Sequence, residues 1–81
     1  MRVLLVYYNY PQLSATYIEA EIRYLIRKGC VVEVWSETDP GAPYSATCRV
    51  HRGRLNDAVR SFRPDVVHIY WLKMAEKLVD Q

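Results

Sequence analysis

The chain has 81 residues, a net charge of +2 and 51% apolar residues, enough for one small domain and too much apolar surface for a disordered segment. It contains no run of about 18 apolar residues that would form a transmembrane span. The first strand opens without a signal-peptide pattern, and the charge is too small to argue for nucleic acid by itself.

Arg2 to Tyr8 reads as an unbroken apolar run, the mark of a strand buried on both faces of a parallel sheet. Asn9 to Thr16 is turn and cap chemistry, and in open α/β sheets the loop leaving such a strand borders the ligand crevice. Tyr17 to Lys28 places Ile18, Ile22, Leu25 and Ile26 on one stripe, with Glu19, Arg23 and Arg27 opposite, a helix that packs on a sheet. Thr16 to Glu19 fits a T-x-x-E capping box with Thr16 as N-cap. Glu19 and Arg23 form an i,i+4 pair worth ~0.3 kcal/mol. Gly29 is the expected left-handed stop.

Cys30 to Ser36 is the second strand, completing a βαβ unit with a right-handed crossover. Glu37 to Ala46 holds Pro40, Gly41 and Pro43 and reads as loop. Thr47 to Arg52 reads as a short edge strand. Leu55, Ala58, Val59 and Phe62 fall at i, i+3, i+4 and i+7 of a second helix that Pro64 stops. Asp65 to Trp71 is the fourth strand, and Leu72, Ala75, Leu78 and Val79 begin a third helix. The expected fold is α/β: a single, partial Rossmann-like domain over residues 1–81, half of a doubly wound parallel sheet. Its element order is β-α-β-β-α-β-α and its strand order 3-2-1-4. The apolar fourth strand lies at an edge, which invites pairing; the chain is then a piece of a larger protein, the favoured expectation, or a homo-oligomer through that edge.

Chemistry-bearing motifs are few. Neither G-x-G-x-x-G nor a P-loop is present, and the first loop has no glycine. Ser14 or Thr16 either only caps the helix, or the free N–H groups of Ser14, Ala15 and Thr16 also meet a phosphate or sugar hydroxyl; the two readings can hold together. His68 admits two readings, a satisfied buried imidazole or a hydrogen-bond donor at the cleft mouth. Tyr70 and Trp71 beyond it either line a sugar-stacking wall or close the sheet end. His68 and Asp65 point to opposite faces of one strand, so no catalytic triad forms. His51 and His68 lack a ligand cluster, and no metal is expected. Cys30 and Cys48 read as buried thiols of a cytoplasmic protein, without C-x-x-C spacing. Arg49, His51, Arg52, Arg54, Arg60 and Arg63 crowd one stretch with the single acid Asp57. That stretch is either a solvated face or a patch for phosphates or an anionic membrane.

Three segments carry a resemblance: Pro11-Gln12-Leu13-Ser14-Ala15-Thr16-Tyr17-Ile18-Glu19-Ala20-Glu21-Ile22, Gly29-Cys30-Val31-Val32-Glu33-Val34 and Pro64-Asp65-Val66-Val67-His68. In this order and spacing they resemble the N-terminal domain of the family 4 glycosyltransferases, which have the GT-B fold. Two positions differ: Ala15 stands where many members have glutamate, and Tyr70 where many have a second histidine. The resemblance implies the acceptor-side part of a retaining glycosyltransferase using a nucleotide-sugar donor, without a cofactor or an obligatory metal. For a cytoplasmic protein of this kind, the basic stretch from Arg49 to Arg63 would give a peripheral contact at the inner membrane face, as suits a lipid-linked acceptor. The donor domain falls outside this sequence, so the chain alone is expected to be inactive. Asn9, Ser14, Thr16 and His68 are the candidate substrate-binding residues, and no catalytic residue is assigned. The alternative is a non-enzymatic α/β module that pairs through its sheet edge. A flavodoxin-like response domain is disfavoured, because Tyr7, Tyr8 and Asn9 stand where its acidic cluster would be.

Overall fold

The computed structural model describes residues 1–11, 16–38 and 46–70, excluding the side chains of Thr16 and Tyr17. The elements are β1 (Arg2–Asn9), α1 (Thr16–Arg27), β2 (Val31–Thr38), β3 (Val50–His51), α2 (Leu55–Phe62) and β4 (Val66–Ile69). They form a four-stranded sheet in the order β3-β2-β1-β4. All three strand pairings are parallel, so the α/β class and strand order expected from the sequence are found. The expected third helix, with Trp71 before it, lies outside the described residues.

β1 is central because both its faces are apolar. Val3, Leu5 and Tyr7 pack with Tyr10, Ile18, Ile22, Val32 and Val34 under α1. Leu4 and Val6 pack with Trp35, Leu55, Ala58 and Phe62 under α2. No residue from Val3 to Tyr7 is more than 5% exposed. A strand covered on both faces can keep its backbone paired only by having neighbours on both edges.

The helix ends follow local chemistry. Gly29 takes φ +87°, the N–H of Cys30 reaches back to Leu25 O at 3.0 Å, and that of Gly29 reaches Ile26 O at 3.0 Å. This is the Schellman closure. The expected stripe on α1 needs one correction. Ile26 is 44% exposed, because the helix ends there and the sheet contact is made by Ile18 and Ile22. α2 ends one residue before Pro64, at Arg63 in the left-handed region (φ 55°), whose N–H donates to Val59 O at 2.8 Å. Arg2 caps the same end: its Nε donates to Phe62 O at 3.0 Å, and its guanidinium lies 4.4 Å from the Phe62 ring centroid. A cation there complements the helix dipole.

The edge strands are shorter than their patterns suggest. β3 has two residues where Thr47 to Arg52 was expected, and β4 has four of the expected seven. Asp65 leaves the strand to accept the Arg2 N–H on Oδ2 at 2.8 Å. β3 is held partly by side chains. His51 Nε2 lies 2.5 Å from Glu33 Oε1, and Trp35 Nε1 donates to Gly53 O at 3.1 Å. Leu5→Ala, at a fully buried position, should cost about 3 kcal/mol in urea unfolding. Tyr24→Ala, at a side chain 51% exposed, should stay within about 0.5 kcal/mol.

Candidate functional site

In a parallel sheet every strand ends on the same side, so the ends of β1, β2 and β3 share one carboxyl end. That end is polar and closely knit. Tyr10, one residue beyond β1, is 1% exposed and is followed by a cis peptide bond to Pro11. Its backbone N–H donates to Ser36 Oγ at 2.9 Å, and Ser36 Oγ donates in turn to Thr38 O at 2.7 Å. Its phenol donates to Glu19 Oε1 at 2.7 Å and accepts the Thr47 N–H at 3.1 Å. Glu19 Oε2 also accepts from Thr47 Oγ1 and from Arg23 Nε, the latter at 3.1 Å. Arg52 Nη1 donates to Tyr10 O at 3.2 Å and to Thr38 O at 3.0 Å. Tyr10 therefore ties together β2, the first turn of α1 and the segments flanking β3.

These contacts shift the acids in opposite directions. Burial, followed by the hydrogen bond to and charge of Glu19 against the opposing Thr47 contacts, pushes the Tyr10 phenol up to about 12. Burial alone would raise the Glu19 carboxyl. Hydrogen bonds from Thr47 and Tyr10, with the Arg23 charge, outweigh it and hold the group below its ordinary 4.5. Cys48, partly buried beside this network, has its thiol pushed up to about 12 by burial and by the charges of Glu19 and Glu33. It is a poor nucleophile at neutral pH.

The expected site residues fall in different places. Asn9 ends β1, and its Oδ1 accepts from Thr38 Oγ1 at 2.7 Å. Ser14 lies outside the described residues. Thr16 begins α1 at the carboxyl end of the sheet, and its side chain lies outside the description. The Glu19 arm of the expected capping box serves Tyr10, Thr47 and Arg23. His68 pairs in register with Leu5, in mid-sheet, about 13 Å along the strand direction from the level of Asn9. Its ring is half-exposed, with Nδ1 3.0 Å from Glu21 Oε2. One ring nitrogen therefore faces a carboxylate, and the imidazole is not buried. Tyr70, two residues on, stands on the same face nearer the mouth. Asn9 and His68 are too far apart for one monosaccharide ring to bridge.

The basic stretch runs from the β3 side to the far end of α2. Arg52 and Arg54 stand at the carboxyl end, while Arg63 lies beyond the far end of α2. His51 is buried against Glu33. Among the described residues no group of three or more His, Cys, Asp or Glu side chains forms a metal-ligand set, and no helix is long and apolar enough to cross a membrane.

Tyr10, Glu19, Ser36 and Thr47 were not singled out as a group by sequence reasoning. The available signals were a tyrosine before proline at a strand end and a serine closing an apolar strand. Tyr10→Phe should destabilise by about 1–3 kcal/mol by leaving the Thr47 N–H unpaired. In the parent the raised phenol stabilises fully below pH 10.0, its ordinary value, and that contribution is lost as pH rises towards 12. The Phe variant should lose this alkaline slope. Glu19→Gln should flatten the acid limb instead, because a lowered carboxyl stabilises above 4.5 and stops doing so as pH falls through its folded value. Unfolding free energy against pH measures both.

No family model, curated protein or solved structure matches the chain.

Proposed function

We propose that this chain is the acceptor-side, N-terminal part of a retaining glycosyltransferase of the GT-B type, which transfers a sugar from a nucleotide-activated donor. One observation carries the reading. The strand of the Pro64 to His68 segment pairs directly, in parallel, with the strand that feeds the Pro11 to Ile22 segment. Two segments far apart in sequence, both with counterparts in family 4, thereby flank one side of the sheet. In this reading Asn9 and the amino end of α1 rim the acceptor side, Ser14 and Thr16 remain candidate contacts there, and His68 with Tyr70 forms a floor along β4. The spread of these residues suits an acceptor longer than one sugar ring. The nucleotide sugar is held by a second domain that these residues do not include, and the chain's own contribution is to bind and orient the acceptor hydroxyl.

A second reading, a module that pairs through its sheet edge, is favoured by β4. It is the last strand of the described sheet on that side, and Val66 on it is 41% exposed. An open strand edge recruits another strand.

Incubating the complete protein that carries this chain with labelled nucleotide sugars and a saccharide acceptor panel separates the two. The enzyme reading predicts label in the acceptor, and about tenfold lower kcat/KM for His68→Ala, the loss of one hydrogen bond in the transition state. The 81-residue chain alone should bind no nucleotide sugar measurably. Micromolar binding by the chain alone, or self-association without transfer by the complete protein, contradicts the enzyme reading.

A further inference from the structure

Glu21 projects from the second turn of α1 towards β4, and its carboxylate joins two β4-side groups. Oε1 accepts the Tyr70 hydroxyl, and Oε2 lies 3.0 Å from His68 Nδ1. The His68 ring lies flat on Tyr70, with centroids 4.9 Å apart and planes at 9°. Tyr70 in turn meets Tyr7 edge-on at 5.6 Å and 87°. The imidazole is therefore held at an edge by the carboxylate and on a face by the phenol ring.

An ionised carboxylate only accepts hydrogen bonds. A carboxylate oxygen 3.0 Å away favours the proton on the facing nitrogen, Nδ1, and in the neutral ring the lone pair then falls on Nε2. The His68 side chain is 47% exposed, and among the described residues nothing pairs with Nε2. With the proton on Nδ1, the neutral ring offers an acceptor, Nε2, on its exposed side.

We infer that Glu21 is a positioning residue, holding neutral His68 as its Nδ1–H tautomer so that Nε2 accepts a hydroxyl from a polyol lying along β4. The tautomer rests on the closeness of the Glu21 carboxylate to Nδ1; the polyol as ligand rests on the glycosyltransferase reading. Tyr70 fixes the ring plane and does not decide the tautomer.

Side-chain 15N NMR of the full chain tests this directly, read at about pH 8.5, where an ordinary imidazole is neutral. His68 should show a protonated Nδ1 and an unprotonated Nε2. Glu21→Ala should return the ring to the Nε2–H form that an unconstrained imidazole prefers. Glu21→Gln, whose amide oxygen still accepts, and Tyr70→Phe should both keep Nδ1–H. A methyl hexopyranoside added to the parent chain should shift the His68 Nε2 resonance and not that of His51. An Nε2–H ring in the parent overturns the inference without any variant, as does an unchanged tautomer in folded Glu21→Ala. An Nε2 unmoved by the saccharide overturns the hydroxyl-acceptor role. A wrong tautomer alongside sugar transfer by the complete protein would sink this inference alone, whereas the expected tautomer without transfer would sink the enzyme reading and leave Glu21 in place.

Discussion

Everything in this domain hangs on β1 being buried on both faces. Val3 to Tyr7 have no solvent side, so the strand needs a hydrogen-bonded neighbour on each edge and a helix over each face. β2 and β4 supply the edges in parallel, and α1 and α2 the cover. Parallel pairing then forces each connection to return the chain to the amino end, and it gathers the strand ends at the carboxyl end. A burial requirement on five residues thus decides where the polar chemistry collects.

The same burial creates a polar problem that Tyr10 solves. The chain leaves β1 while still covered, so its next backbone N–H needs an internal partner and finds Ser36 Oγ. The phenol travels inward and needs partners too; it finds Glu19 and the Thr47 N–H. Glu19 and Glu21 stand two apart on one helix and face opposite flanks. Glu19 reaches the β3 side and Glu21 the β4 side, while Ile18 and Ile22 between them fill the core. One turn and a half of helix therefore braces the width of the sheet.

Element types and strand order were legible because they follow from periodicity and punctuation. The unbroken run at β1, the Gly29 stop and the i, i+3, i+4, i+7 spacing in α2 each express one local rule. Strand ends were less legible. β3 and β4 are edge strands, where pairing on one side leaves termini free to be claimed by side chains, as Asp65 is by the Arg2 N–H. The stripe on α1 overreached at Ile26 because periodicity does not say where the sheet beneath a helix stops. The site was the least legible part. Tyr10, Ser36 and Thr47 belong to three separate segments, and only the register brings them together. His68 was located on its strand, but its partner Glu21 is 47 positions away in the chain, and without that partner the role of its two nitrogens could not be assigned.

Mapping backbone amide shifts while the chain is titrated with a short oligosaccharide tests most directly whether the carboxyl end of β1 is an acceptor cleft. The account predicts shifts that cluster at Asn9, Tyr10, His68 and Tyr70. Shifts confined to the opposite end of the sheet, around Met1, Val31 and Val66, or none at saturating saccharide, would contradict it.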